Sequence, residues 1–315
     1  MSAQPASRHR HGFDAGLFPL VEAIVGARAR RDVLASSVTT LAIGGAIRAL
    51  VTVDTAEELG KVVSLLARMD QDVRALGNGS NLLIADEGLD GWVLRLGASF
   101  RSVTWLAEDG TVEVGGAASL MSFARKVSDE GWSGLEFAAG IPASIGGAAF
   151  MNAGAHGSEI GQRVVRVYGV LADGTHGVWE HDVLPWSYRS SGLSPGMTVT
   201  SVVFRLIRGE RSEISRLCSE HLAERRARQP LALPSAGSVF KNPRPDLPAG
   251  RVLEAAGLKG QRVGGAQISE LHANWIVNPE KRATAGDVRQ LIELCRTRVR
   301  QHSGIELEPE LKVWP

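Results

Sequence analysis

The chain carries the stretch Leu76-Gly77-Asn78-Gly79-Ser80-Asn81-Leu82-Leu83 and a second glycine-rich stretch from Gly140 to Gly154. Neither residues 76–81 nor residues 140–154 contain Lys or Arg. A glycine turn exposes backbone N–H groups, and several of them in one concavity bind a diphosphate without cationic side chains. Asn78, Ser80 and Asn81 add side-chain donors. Each stretch alone is equally well explained as a tight turn, but the two together favour a diphosphate-binding cradle, because so many glycines weaken a fold without adding packing.

The common nucleotide and metal signatures do not fit. Gly77 and Gly79 match the first two glycines of a dinucleotide fingerprint, but Leu82 stands at the third and a strand pattern follows where a helix is required. The chain has no GxxxxGK[ST], HExxH or CxxC motif, and its eight histidines are scattered. We therefore predict neither a Rossmann domain, nor a P-loop, nor a metal site.

Composition predicts an ordinary globular protein. The 315 residues include 35 Lys plus Arg against 34 Asp plus Glu, with 44% apolar and 22% charged residues. A formal charge of +1 gives no long-range attraction for nucleic acid or an anionic membrane. No signal sequence or apolar span is recognisable, so we predict a cytoplasmic protein without a membrane, nucleic-acid or obligate protein partner.

The pattern of apolar residues predicts mixed helices and strands. Thr55 begins an amphipathic helix, a basic helix covers residues 211–228, and Thr284 begins a third helix with Asp287 three residues later. Strands and helices do not alternate regularly, which favours an α+β fold. We predict a weakly ordered extension over residues 1–30, two subdomains over residues 31–97 and 98–208, and a C-terminal domain over residues 209–315.

A set of motifs resembles the UDP-N-acetylenolpyruvoylglucosamine reductase family, known as MurB, in the family's order. The motifs are Leu76 to Leu83, Gly134-Leu135-Glu136, Gly140-Ile141-Pro142, Gly146-Gly147-Ala148, Met151 to Gly154, Tyr188-Arg189-Ser190-Ser191, Pro234 to Pro243, Ala256 to Gly260, Ser269 with His272-Ala273-Asn274, and Leu307 to Glu310. Together they span roughly Thr39 to Leu311. Many motifs in one order make the resemblance specific.

The resemblance implies a two-part FAD-binding domain of the vanillyl-alcohol-oxidase type and a C-terminal α+β substrate domain. It implies an enzyme of peptidoglycan precursor synthesis, in which NADPH reduces FAD and the reduced flavin reduces UDP-N-acetyl-enolpyruvoylglucosamine to UDP-N-acetylmuramate. The implied cofactor-binding residues are Gly77, Asn78, Gly79, Ser80, Asn81, Gly140, Ile141, Pro142, Ser144, Gly146, Gly147, Asn152, Ala153 and Gly154.

Three residues match the family's catalytic positions: Arg189, Ser238 and Glu310. Arg189 would hold the substrate carboxylate, Glu310 would assist it, and Ser238 would donate a proton. The implied substrate-binding residues are Tyr188, Arg228, Lys241 and Asn242. Taken singly, Arg189 is better explained as a surface ion-pair partner, Ser238 as a turn cap and Glu310 as a solvated carboxylate, and only their motif contexts favour the catalytic roles. Lys241 is explained equally well as part of a solvated turn.

The chain departs from the family pattern at several positions, one of which is the stretch Leu41 to Gly45, which lacks the basic residue often found before its glycine pair. Ala143 replaces a common glycine, His156 stands where tyrosine is common, and Arg228 replaces a frequent lysine. With two tyrosines and no extra segment after Leu171, the chain resembles the shorter family members that lack a tyrosine-bearing loop. Two other hypotheses stay open: another flavin oxidoreductase on the same FAD domain, and a catalytically idle nucleotide-binding regulator.

Overall fold

The computed structural model describes residues 12–315, which form three units around one central cavity. The first unit has a four-stranded sheet in the order β1-β2-β5-β3, in which β1 is antiparallel to β2, and β2 and β3 are parallel to β5. Its elements are helices α1 (Phe18–Val25) and α2 (Ala56–Arg68) and strands β1 (Ala29–Leu34), β2 (Ala46–Val53), β3 (Val73–Ala75), β4 (Leu82–Ile84) and β5 (Leu89–Leu96).

Helix α2 follows the predicted pattern. The Thr55 side chain accepts a hydrogen bond from the Glu58 amide at 3.1 Å, which satisfies one of the free donors at the helix start. The apolar positions of the pattern are all buried: Leu59, Val62, Val63 and Leu66. This stripe covers one face of the sheet and shares its core with the buried side chain of Trp92.

The second unit is built on an antiparallel sheet in the order β12-β11-β13-β7-β6. Its strands are β6 (Val103–Trp105), β7 (Thr111–Gly115), β8 (Trp132–Ser133), β9 (Gly154–Ala155), β10 (Ser158–Glu159), β11 (Val164–Val170), β12 (His176–Glu180), β13 (Thr198–Arg205) and β14 (Ile207–Arg208), and its helices are α3 (Leu120–Asp129), α4 (Ile145–Phe150) and α5 (Arg211–Arg228). Helix α4, which belongs to the second glycine-rich stretch, lies against β13, the middle strand of this sheet.

The third unit has an antiparallel sheet in the order β15-β18-β17-β16. Its elements are strands β15 (Ser235–Ser238), β16 (Arg262–Val263), β17 (Ala266–Ile268) and β18 (Trp275–Val277), helices α6 (Ala249–Ala255) and α7 (Ala285–Ser303), and the last strand β19 (Lys312–Trp314). Thr284 and Asp287 form the predicted reciprocal capping box of α7.

The first and third units are joined by backbone and side-chain bonds. Strand β19 leaves the third unit and pairs in parallel with β4 of the first. The Asp86 carboxylate accepts hydrogen bonds from the first two amides of α7 at 2.7 and 3.0 Å. The Thr40 hydroxyl donates to the carbonyl of Ser235 at 2.6 Å. These bonds fix the two walls of the cavity relative to each other.

Two predictions about organisation differ from the structure. The weakly ordered extension is wrong for residues 12–30, which contain α1 and the start of β1, while residues 1–11 lie outside the described residues. Helix α1 forms because Phe18, Val21 and Val25 pack into the core of the first unit. Helix α5, assigned by sequence to the C-terminal domain, contacts α3 and β8 of the second unit.

No helix within residues 12–315 is both long and apolar enough to cross a membrane. The two cysteines, Cys218 and Cys295, are free and buried. Burial raises the pKa of the Cys295 thiol to about 12, so this thiol stays protonated and behaves as a small apolar core residue.

Candidate active site

The three units enclose a cavity of about 2000 Å³. Single ligand sites in proteins have volumes of about 300–1,000 Å³, so this cavity has room for two ligands side by side. Its wall includes twelve of the fourteen predicted cofactor-binding residues: Gly77, Asn78, Gly79, Ser80, Asn81, Ile141, Pro142, Ser144, Gly146, Gly147, Ala153 and Gly154. All three predicted catalytic residues, Arg189, Ser238 and Glu310, line the same cavity.

The first glycine-rich stretch presents unpaired backbone donors to the cavity. Within residues 12–315, none of the amide N–H groups of residues 77–81 donates a hydrogen bond. Gly79 has a φ of +62°, and a Cβ there would lie 2.5 Å from the carbonyl oxygen of Val38. Glycine is therefore required at this position for both its conformation and its close approach. A row of free amides against a cavity is the arrangement that binds a diphosphate.

The two glycine-rich stretches meet, as a shared cradle requires. The Asn78 side-chain amide donates to the carbonyl of Pro142 at 3.1 Å. A Cβ on Gly77 would lie 2.4 Å from the hydroxyl of Ser144, which caps α4 by accepting a hydrogen bond from Gly147. Chain segments about 60 residues apart thus form one wall of the cavity.

Gly140 and Asn152, the other two predicted cofactor-binding residues, do not line the cavity. The Asn152 side chain donates to Glu159 and to the Ser187 carbonyl, both at 2.8 Å, and accepts from the Gly161 amide. It is 1% exposed, and both polar atoms of its side chain are hydrogen-bonded within the fold. Asn152 therefore holds the β9–β10 hairpin and the segment before Arg189 in place.

Arg189 and Glu310 form a nearly buried ion pair. The Arg189 Nε donates to Glu310 Oε1 at 2.7 Å, and its Nη2 donates to the carbonyl of Gly154 at 3.1 Å. Arg189 has a φ of +59°, an uncommon conformation for a residue with a side chain. Burial raises the pKa of the Glu310 carboxyl, although the Arg189 guanidinium opposes this. The site thus holds a fixed guanidinium next to a carboxyl that retains its proton more readily than usual.

Ser238 lies at the end of β15, on the wall contributed by the third unit. Its hydroxyl makes no hydrogen bond with any residue in the described range 12–315. Position 238 is therefore polar, lines the cavity and is free to contact a ligand.

The four predicted substrate-binding residues do not lie together at the cavity. Asn242 lines the cavity, and its backbone amide donates to the Tyr188 hydroxyl at 3.3 Å. Lys241 pairs with Glu308 at 2.6 Å outside the lining. Arg228 is 74% exposed and pairs with Glu224 at 2.8 Å on the surface of α5. The structure brings Asn242 to the site directly, Tyr188 beside it, and leaves Lys241 and Arg228 outside the lining.

Matches to known proteins agree with this geometry. A family model described as UDP-N-acetylenolpyruvoylglucosamine reductase, C-terminal domain, matches residues 229–314, and one described as FAD binding domain matches residues 47–177. The reductase 2 of that name from Symbiobacterium thermophilum is 44% identical over 278 residues, covering 88% of this chain and 89% of the relative. The chain belongs to the UDP-N-acetylenolpyruvoylglucosamine reductase family.

Two further relatives match a similar share of the chain. The Bacillus subtilis reductase is 38% identical over 278 residues, covering 87% of this chain and 90% of the relative. The crystal structure of the Thermus caldophilus reductase is 38% identical with a TM-score of 0.79, covering 91% of this chain and 99% of that chain. The predicted α+β fold, the FAD-binding domain and the assignment as a flavin-dependent enzyme are confirmed.

The residues that line the cavity suit FAD as a bound cofactor. The unpaired amides of residues 77–81 suit its diphosphate, and Gly146 allows close approach, since a Cβ there would lie 3.0 Å from the Val199 carbonyl oxygen. FAD bound there would supply two-electron redox chemistry to the face of the cavity that holds Arg189 and Glu310. The protein contributes position and electrostatic field.

Arg225 is a site residue that the sequence analysis missed. It lines the cavity, packs on Gly140, and its buried Nε has no hydrogen-bond partner within the described residues. Burial lowers the pKa of its guanidinium, so an anion would restore favourable pairing. No sequence signal singles out Arg225 among the arginines of α5, because only the packing of this helix shows which of them lines the cavity.

Proposed function

We propose that the enzyme reduces UDP-N-acetyl-enolpyruvoylglucosamine to UDP-N-acetylmuramate, with FAD as cofactor and NADPH as hydride donor, in peptidoglycan precursor synthesis. One observation carries this proposal: Arg189, Glu310 and Ser238 line the same cavity as the glycine cradle. The two curated relatives described above are named as this reductase, and the alignment with this chain covers 89% and 90% of their lengths. We further propose that it works in the cytoplasm on small nucleotide substrates, without an obligate protein partner.

Arg189 is proposed to bind the carboxylate of the enolpyruvyl group. Hydride addition to the terminal carbon leaves negative charge on the adjacent carbon, delocalised into that carboxylate. A guanidinium stays charged at any physiological pH and offers a planar fork to a carboxylate. Because its Nε is already bonded to Glu310 and its Nη2 to Gly154, the guanidinium is oriented before substrate arrives. Preoriented charge stabilises the developing anion without reorganisation.

Glu310 is proposed to fix Arg189 and to share its contact with the substrate. Its carboxyl is 14% exposed, and burial raises its pKa. A carboxyl that holds a proton more readily can donate a hydrogen bond to the substrate carboxylate. This assignment explains why an acidic residue is tolerated beside an anionic substrate.

Ser238 is proposed to donate the proton that completes the reduction. A serine hydroxyl is a weak acid, but the carbon next to a carboxylate is a strong base once it carries the negative charge, so transfer is favourable from a well-placed hydroxyl. The Ser238 hydroxyl has no competing hydrogen-bond partner within residues 12–315. Asn242 and Arg225, which both line the cavity, are proposed to contact the nucleotide diphosphate. Arg225 takes the role that the sequence analysis gave to Arg228, whose side chain is exposed.

The proposal is tested by following the flavin spectrum of the purified holoenzyme without oxygen. We expect the flavin absorbance to bleach with NADPH and to return on addition of UDP-N-acetyl-enolpyruvoylglucosamine, with UDP-N-acetylmuramate as product. Bleaching that reverses only with oxygen would contradict the proposal in favour of another flavin oxidoreductase. A protein that takes up no FAD would contradict it in favour of a nucleotide-binding regulator.

A further inference from the structure

Two histidines from different elements stack at the wall of the cavity. His156 lies in the turn between β9 and β10, and His221 lies on α5. Their ring centroids are 4.0 Å apart with an interplanar angle of 10°. His156 Nδ1 lies 3.3 Å from Glu224 Oε2, and its side chain is 17% exposed. His156 is therefore held by two residues of α5 while it lines the cavity.

Three polar atoms on α5 and just after its end lack partners. His221 and Arg225 lie one turn apart on α5, and Gln229 follows in extended backbone immediately after the helix ends at Arg228. His221 Nδ1, Arg225 Nε and Gln229 Oε1 are buried, and none has a hydrogen-bond partner within the described residues. Arg225 and Gln229 line the cavity with His156. Buried polar atoms without partners are rare, and in a cavity wall they indicate a polar ligand.

Glu224 determines what His156 presents to that ligand. A neutral imidazole carries one N–H, and a carboxylate beside Nδ1 holds that hydrogen on Nδ1. Nε2 of neutral His156 then carries no hydrogen, and its lone pair repels an anion. The protonated ring donates from both nitrogens, one to Glu224 and one to the ligand. The glycine cradle and Arg225 already select an anionic ligand in this cavity.

We propose that His156, held between His221 and Glu224, donates from Nε2 to the diphosphate of a bound nucleotide and takes up a proton as that nucleotide binds. The inference rests on the proposed function, which supplies two nucleotides with this chemistry, the UDP-sugar and the pyridine nucleotide. It assigns a binding role to the position where tyrosine is common in the family.

The neighbouring charges set the direction of the pH dependence. Burial lowers the pKa of the His156 imidazole, the neighbouring His221 and Arg225 lower it further, and Glu224, which also pairs with Arg228, opposes them. A bound diphosphate raises it. Nucleotide affinity is therefore highest below the pKa of free His156 and falls as pH rises to the pKa of the complex. A charge-assisted hydrogen bond corresponds to about a tenfold change in affinity across this range.

Calorimetric titration of the FAD-loaded enzyme with UDP-N-acetylglucosamine tests the proposal, because the diphosphate diester of this probe does not titrate near neutral pH. Titrations near pH 7 in two buffers of different ionisation enthalpy give the number of protons taken up. We expect uptake of a fraction of a proton and about tenfold tighter binding at about pH 6 than at about pH 8.5. A parallel titration with NAD⁺ tests the diphosphate of the pyridine nucleotide.

His156→Tyr is the informative variant, because it keeps an aromatic ring next to His221 but does not ionise in this range. It should abolish proton uptake and flatten the affinity profile, whereas His302→Asn, at the exposed end of α7, should change neither. If the His156→Tyr enzyme loses its FAD, an NMR titration of the wild-type His156 ring with and without the probe gives the same answer.

Loss of proton uptake with UDP-N-acetylglucosamine supports the role for the sugar nucleotide, and loss with NAD⁺ alone supports it for the pyridine nucleotide. Binding without proton uptake by the wild type, or equal uptake by His156→Tyr, would overturn the inference while leaving the reductase proposal intact. Failure of both nucleotides to bind at any pH would instead contradict the proposed function.

Discussion

Replacing Ser238 with alanine should separate the two half-reactions of the enzyme. The hydroxyl makes no hydrogen bond within residues 12–315, so its removal leaves no buried partner unsatisfied. We therefore expect the free energy of unfolding to change by less than about 0.5 kcal/mol. Loss of a general acid slows the step that needs it by about 10²- to 10⁴-fold, equivalent to about 2.7–5.5 kcal/mol of activation free energy.

Anaerobic stopped-flow absorbance at the flavin band measures both steps. Flavin reduction by NADPH should proceed at nearly the wild-type rate in Ser238→Ala, and reoxidation by the enolpyruvyl substrate should show the whole loss. Ser235→Ala is the matched control, since Ser235 lies on the same strand and lines the same cavity without occupying the family's catalytic position. Equal slowing of both half-reactions would refute the assignment of Ser238 as proton donor.

Three further predictions concern stability and cofactor binding. The Arg28 guanidinium lowers the pKa of Glu58 to about 2, so this pair stabilises the fold above the unfolded pKa of about 4.5, and the contribution is lost as pH falls towards 2. Glu58→Gln should lower the free energy of unfolding by about 1–2 kcal/mol at pH 7 in urea and by less below about pH 4. A loss that does not depend on pH would contradict this. Asp86→Ala should cost about 1–2 kcal/mol by removing the carboxylate that accepts from two amides of α7, with Asp86→Asn intermediate; equal stability of all three proteins would show that this contact contributes nothing. Gly79→Ala should destabilise by more than about 1 kcal/mol and reduce the FAD retained after gel filtration, because of the positive φ and the close Val38 carbonyl; full retention would exclude the proposed cradle geometry.

Much of the local structure was predictable from sequence. The basic helix predicted over residues 211–228 has the same bounds in the structure, and the box formed by Thr284 and Asp287 caps α7 as predicted. The two glycine-rich stretches meet at the cavity as a shared cradle requires. The helix and its cap depend on residues a few positions apart, whereas the meeting of the two glycine-rich stretches joins residues 64 positions apart and was indicated only by their shared composition.

Other features depended on which surfaces face each other. Helix α1 has eight residues, too few for a helix that is stable alone. It forms because its apolar side chains pack against the core around Trp92. Asn152, predicted to contact the cofactor, instead bonds to Glu159 and to the Ser187 carbonyl. Its neighbours are distant enough in sequence that no local pattern indicates them.

The sequence by itself determined the family, the α+β class and the residue types that the reaction needs, because glycine turns, helix caps and short motifs act through local geometry. Only the tertiary structure decided which cations face the cavity. Arg225 and Arg228 lie on the same helix, yet packing of α5 against the second unit buries Arg225 in the cavity wall and leaves Arg228 paired with Glu224 at the surface. The same packing brings His156 against His221, because side chains 65 residues apart meet only when the helix and the β9–β10 turn are in place.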